Sequence, residues 1–315
     1  MENNIESLLK KLEEKYSQTG QSLAANLEGL LYNDYLKYWD YIQVETLLTL
    51  QKPKTSIPDE MIFIMYHQIT ELYFRLILWE IEQIGNQKDI ESAWFLDKIE
   101  RINRYVEALV KSFDIMSVGM EAEQFKKFRM ALLPASGFQS AQFRMIEISS
   151  TSFINLTSQD FRDKANPNTT IPEIYEHIYW KRGATETATG KKTITLQHFE
   201  EKYSESFMQL AYEYRDKNIW EKYKELEHKG ADVSKIKQAL RDFDYWFNIE
   251  WALSHLKSAV RYLRESGKPI DATGGTNWTK YLPPSFQRII FFPSLWTEEE
   301  RQEWGRKKVE ALLQS

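Results

Sequence analysis

Five histidines and no cysteine limit the chemistry open to this chain. Without a thiol there is no disulfide, thiolate zinc site, iron–sulfur cluster or cysteine nucleophile, so a metal must be held by histidine, by carboxylate or inside a ready-made cofactor. His177, His198 and His228 stand among charged or polar neighbours and read as solvated surface. His67 and His255 differ. His67 lies on an aromatic-rich helix face, and His255 comes a turn after Trp251 and a turn before Ala259, whose small side chain leaves space beside an imidazole for a flat cofactor. A lone histidine on such a face is more often a core residue with one ring nitrogen on a backbone carbonyl, and spacing alone favours that reading. No His-Glu-x-x-His and no paired carboxylate-and-histidine pattern occurs, which leaves a haem iron on one proximal histidine as the single-residue metal option.

Two further groups carry polar chemistry. Arg129, flanked by Phe125 and Phe128, could aim its fork into an apolar pocket, where a guanidinium grips a carboxylate bidentately. Most helix arginines instead make surface ion pairs. The Thr273-Gly274-Gly275-Thr276 run offers backbone N–H groups at positive φ and two hydroxyls, although a Gly-Gly pair is usually just a turn.

The elements that position these residues are helical. With 12 Gly and 9 Pro in 315 residues, and no Asn-Gly or Asp-Gly hairpin signal, the chain reads as all-α. The pattern predicts a helix over 23–39, interrupted by the Pro53–Pro58 pair, and then a helix over 60–84 with Asp59 as its N-cap. The 60–84 helix carries one stripe through Ile62, Ile69, Tyr73, Leu76 and Ile77 and a second through Phe63, His67, Phe74 and Leu78. Helices over 90–116 and from 121 to Pro134 come next, then one over 138–148 with Ser136 and Gln139 as its capping box. Residues 157–195 read as loop with one short helix over 174–181, an insertion or lid within a single domain spanning 1–315. The 233–264 segment, free of Gly and Pro, predicts one long uninterrupted helix bearing His255, and 298–313 a closing amphipathic helix.

Charge excludes some partners. Forty-one basic against 46 acidic residues, a net charge of -5 spread along the chain, leave no basic face for nucleic acid. No apolar stretch approaches the roughly 20 residues of a membrane span, and the first residues are unlike a signal peptide, so a cytoplasmic protein is expected.

Several strings together resemble the tryptophan 2,3-dioxygenase family, haem enzymes that open the indole ring of tryptophan. They are Tyr32-Asn33-Asp34-Tyr35-Leu36, the run from Asp59-Glu60-Met61 through Phe63 to His67-Gln68 and Glu71-Leu72, and Phe128-Arg129 leading through Ser136-Gly137-Phe138-Gln139-Ser140 to Gln142-Phe143-Arg144 and Glu147. Ser-Gly-Phe-Gln-Ser-x-Gln-Phe-Arg is the most specific of these. Trp251, His255, the Thr273–Thr276 run and Phe291-Phe292-Pro293-Ser294-Leu295-Trp296 match more loosely, so the likeness spans about residues 23–296.

The resemblance implies a helical bundle enclosing a b-type haem, with His255 as axial iron ligand and His67 on the opposite side near the indole N–H. It implies Phe63 and Phe125 at the indole pocket, Arg129 on the substrate carboxylate and Thr273 at the amino-acid end. Tyr32 and Tyr35 would reach the site from a neighbouring subunit of a homotetramer. The implied reaction joins O₂ to L-tryptophan, giving N-formylkynurenine. The chain departs from the family in Ile249–Ser254 before His255, in a longer spacing from His255 to Thr273, and at Tyr73-Phe74. A haem oxygenase of a substituted tryptophan or other indole is therefore the alternative, and a non-catalytic haem or ligand-binding helical protein the alternative of another class.

Overall fold

The chain divides at Pro53 into an N-terminal unit, Met1–Lys52, and a main unit, Pro53–Ser315. The computed structural model describes residues 2–18, 20–32, 37–132, 137–184, 191–265, 268–269 and 282–314. The fold is all-α, and the one sheet among the described residues is the pairing of Arg264–Glu265 with Lys268–Pro269.

In the N-terminal unit, helix α1 (Glu2–Ser17) is followed by α2 (Leu23–Leu31), which starts where the Ser22 hydroxyl accepts the Ala25 N–H. The helix expected over 23–39 ends at Leu31, and two four-residue helices, Tyr38–Tyr41 and Val44–Leu47, follow. None of the unit's described apolar side chains is buried, and Leu30, Leu31, Tyr32 and Tyr38 lie open to solvent.

The main unit is built on α3 (Asp59–Asn86), a 28-residue helix. It packs against α4 (Ser92–Ser112), α5 (Ala122–Arg129) and α6 (Ala141–Ser150). Asp59 is the first residue of α3 rather than its cap. Its carboxylate instead accepts the Glu121 N–H at 2.7 Å, at the start of α5, so one acidic residue ties two helix N-termini together. Glu60, fully buried, accepts the backbone N–H groups of Lys54 and Thr55 at 2.6 and 2.7 Å and fixes the entry loop. The α3–α4 seam is stitched by buried Glu80, which takes Lys98 at 2.9 Å and Arg101 at 2.5 Å.

Helix α6 begins at Ala141 because Ser140 caps it, its hydroxyl accepting the Phe143 N–H; Ser136, expected in that role, lies outside the described residues. Among the described residues between Thr157 and Thr195 there are three short helices, Gln159–Arg162, Ile171–Glu176 and Tyr179–Gly183, where one was expected. Ile171, Tyr175, Ile178 and Trp180 are buried there in the main core. Helices α7 (Ile194–Glu213) and α8 (Ile219–His228) pack on α6 and lead to α9 (Ser234–Tyr245).

The single helix expected over 233–264 is three pieces. Between α9 and α10 (Trp251–Tyr262) the backbone passes through a five-residue π-helical segment, Trp246–Glu250, which rotates the face carrying His255 relative to α9. The closing helix is likewise split, into Glu298–Glu303 and α11 (Arg306–Gln314), because Trp304 and Gly305 both take positive φ. Ala259 does not border open space. It packs with Leu253, Leu256, Trp304 and Val309 in a second apolar cluster behind α10.

Asp244, at the last turn of α9, holds the π segment and the Phe291–Trp296 stretch to one another. Its buried carboxylate accepts the N–H groups of Phe291 and Phe292, the Trp296 indole N–H and the Asn248 amide. Burial outweighs these four donors and pushes its pKa up from 3.8 to about 6. A carboxyl whose folded pKa is raised stabilises the fold fully below its unfolded pKa and loses that contribution as pH rises through the folded one. A change of that size corresponds to about 3 kcal/mol. Across pH 4 to 6, we therefore expect the unfolding free energy of the protein to fall relative to Asp244→Asn by about that amount, read from urea melts. Parallel pH curves for the two proteins would rule this out.

Candidate active site

Helices α3 and α10 each carry one of the two singled-out histidines, and Phe74 and Trp251 meet edge to face between them at 5.9 Å. On α3 the His67 Nδ1 lies 2.7 Å from the Phe63 carbonyl, one turn back. On α10 the His255 Nδ1 lies 3.1 Å from the Trp251 carbonyl in the same relation. A carbonyl only accepts, so each ring carries its proton on Nδ1 and presents the Nε2 lone pair away from its own helix.

An aromatic chain connects the two. The Phe113 ring sits 4.7 Å from His255 and 5.8 Å from Tyr66, which stands edge-on to His67 at 6.4 Å. Both imidazoles keep an accessible edge but are surrounded by protein, and burial lowers both pKa values, that of His255 to about 4. His67 is close enough that its positive charge would further disfavour protonation of His255. Near neutral pH both rings are therefore uncharged. The two uncharged rings are joined by the aromatic contacts of Tyr66 and Phe113 between them.

The aromatic residues expected around an indole stand close together. Phe63 lies 4.1 Å from His67, 6.2 Å from Phe125 and 5.6 Å from Phe128, and Phe125 lies 4.7 Å from Tyr262 of α10. The Tyr262 hydroxyl is shared between the Met116 and Met120 carbonyls, at 2.6 and 3.1 Å, and so ties α10 to the segment that precedes α5. Arg129 ends α5 next to Phe128 and is only 7% exposed, so it is not a solvated surface side chain. Tyr32 lies on the N-terminal unit, 78% exposed. Tyr35 and Thr273 lie outside the described residues.

Phe113 and Tyr262 were not anticipated as part of this pocket. Phe113 continues the stripe Ile102, Val106, Leu109 by one more turn, and Tyr262 falls two turns after His255, so helical spacing could have found both.

Among the described residues, no three histidine or acidic side chains converge to hold a bare metal ion. A single neutral imidazole with its Nδ1–H fixed on a carbonyl is the donor arrangement by which a protein holds a haem iron, so His255 fits that group.

The sequence profile of the family described as tryptophan 2,3-dioxygenase matches residues 17–225. The chain belongs to the tryptophan 2,3-dioxygenase family. Its similarity to individual members is modest but long. A tryptophan 2,3-dioxygenase of Exiguobacterium sibiricum is 28% identical over 88% of this chain and 98% of its own length. One from Polaromonas sp. strain JS666 is 26% identical over 83% of this chain and 86% of its own. One from Bacillus thuringiensis subsp. konkukian is 27% identical over 84% and 92%. Membership of this dioxygenase family makes the chain an oxidoreductase. The profile match ends before α10, the helix that carries His255.

Proposed function

We propose that the chain binds a b-type haem through His255 and, with the iron ferrous, joins O₂ to L-tryptophan to give N-formylkynurenine. The observation that carries this reading is the pair of neutral imidazoles, His67 on α3 and His255 on α10, linked through the rings of Tyr66 and Phe113. When bound, haem supplies the redox-active iron at which O₂ is activated for addition across the indole C2–C3 bond. The chain's own residues bind and orient. His67 accepts the indole N–H on Nε2, Phe63 and Phe125 flank the ring, and Arg129 grips the carboxylate, with Thr273 at the amino-acid end. The apolar wall excludes water and holds the reactants in register.

Reconstitution with haem, reduction, and exposure to O₂ with L-tryptophan and a panel of indoles tests the proposal by following ring-opened product. Product from a substituted indole alone would assign the chain a different substrate, and a Soret band without product would leave a haem carrier. If the part played by His67 is to orient, His67→Ser keeps measurable turnover with a raised KM for tryptophan. Complete loss of turnover in a haem-replete sample would show that the imidazole is indispensable.

The working form is proposed to be a cytoplasmic homotetramer with shared sites, Tyr32 and Tyr35 reaching a neighbouring subunit. Two observations support this. The N-terminal unit buries none of its described apolar side chains, and α3 exposes Met65, Ile69, Leu72, Leu76 and Trp79 along one face at three- and four-residue spacing. No described helix is long and apolar enough to cross a membrane. Ile69→Glu with Leu76→Glu is expected to yield smaller species by light scattering, with helix content unchanged; a tetramer that persists would place the interface elsewhere.

A further inference from the structure

A concave site lies in the main unit, well apart in sequence from His67 and His255. Its cavity of about 980 Å³ runs between the Asn155–Arg162 turn with Tyr179 on one side and, on the other, the Ser285–Ile290 stretch, helix Glu298–Glu303 and the start of α11. That volume is in the range that holds cofactor-sized molecules. Four arginines line it, Arg162, Arg288, Arg301 and Arg306, against two carboxylates, Asp160 and Glu298. This is an excess of positive charge in a protein whose net charge is -5.

The guanidinium groups are poorly neutralised. Arg162 donates to the Asn155 carbonyl at 2.7 Å and the Gln159 amide oxygen at 3.1 Å, neither of them charged. Burial lowers its pKa, and the neighbouring Asp163 opposes that only in part. Arg301 spends one Nη on Glu298 at 2.5 Å, while its Nε is buried and has no hydrogen-bond partner among the described residues. Arg288 uses only its Nε, on the Ser285 carbonyl, and its backbone takes a left-handed φ of 47°, a conformation that costs a non-glycine residue stability. Arg306 places one Nη 3.3 Å from the Gln302 carbonyl. Among the described residues each fork thus keeps N–H donors uncommitted, and the residues lining the cavity include no lysine. Planar forks in this number suit oxyanions that accept several paired hydrogen bonds.

We propose that this groove is a binding site for a phosphate-bearing small molecule, with the Arg162, Arg288, Arg301 and Arg306 guanidiniums taking the phosphate oxygens. Phe286, half exposed beside Arg288, gives the organic part of such a ligand a flat apolar face.

The test uses the full-length protein and sodium pyrophosphate as probe, by calorimetry and thermal shift, with sodium chloride at matched ionic strength and sodium citrate as separate arms. The expected result is a saturable pyrophosphate isotherm that chloride does not reproduce, weakened at least tenfold in Arg288→Ala with Arg306→Ala. Both residues are exposed, so that variant should keep the parent helix content and melting temperature. Arg301→Lys, which retains the charge but not the fork, should weaken pyrophosphate as well. Equal isotherms in parent and double variant, a shift matched by chloride, or saturation by citrate without pyrophosphate would each overturn the assignment.

Discussion

Replacing His255 with alanine is expected to abolish the Soret band of the reconstituted protein and reduce ring-opened product by far more than about 10²-fold. The size of the effect follows from position. Disturbing only the hydrogen-bond partner of a ligating imidazole already costs 10- to 100-fold, and here the ligand itself is removed. Five histidines leave few substitutes, and His67, the other imidazole of the pocket, sits on α3 with its Nδ1 held by Phe63. The vacated space should accept free imidazole, so adding it to His255→Ala should restore the band in part, a rescue that a misfolded variant would not show. His198→Ala, a substitution on the outer part of α7, serves as the control and should retain both band and product. A Soret band in His255→Ala that matches the parent would move the iron ligand to another residue and take the proposed reaction geometry with it.

How much of this was legible in the sequence depends on the range of the forces involved. Helical spacing placed Phe63 one turn before His67, because a 3.6-residue period needs no tertiary information, but it did not reveal that Ile69 and Leu76 of the first stripe face outward. The absence of thiols and of metal-binding pairs reduced the metal question to a single imidazole. What stayed hidden depends on contacts between distant segments. The π segment at Trp246–Glu250 leaves no local mark, since its residues are as helix-compatible as their neighbours; it lies beside Asp244, whose carboxylate takes N–H groups from Phe291 and Phe292. Asp59 looked like a cap for its own helix, but the donor it satisfies belongs to Glu121, 62 residues away. The break at Trp304-Gly305 needed the positive φ of both residues, which a charged amphipathic pattern does not announce. The pocket was read residue by residue, whereas the aromatic chain from His67 through Tyr66 and Phe113 to His255 exists only once distant segments meet.

Arg129→Ala is expected to lower kcat/KM for L-tryptophan by about 10²- to 10⁴-fold while changing the rate with a decarboxylated analogue such as tryptamine by less than about threefold. A hydrogen bond to a charged group contributes about 1.5–3 kcal/mol net, and a buried bidentate pair contains two of them in a medium that screens poorly. Each 1.4 kcal/mol is a factor of ten, so the loss falls in that range. The position supports the upper part of it: Arg129 is 7% exposed at the end of α5, beside Phe128, whose ring packs 5.6 Å from Phe63 of the indole wall. Alanine also removes a buried cation whose presence the fold accommodates at a cost, so the comparison between substrates, not the absolute loss, isolates the carboxylate contact. Lysine should rescue little, because a point charge cannot reproduce the planar fork even where it reaches the same site. If the indole is oriented mainly by His67 and Phe63, the residual turnover of Arg129→Ala should still open the ring at C2–C3, since losing the carboxylate grip weakens binding without turning the ring. Equal losses for tryptophan and tryptamine, with the Soret band intact, would show that Arg129 supports the pocket wall and that the amino-acid end is held by other groups.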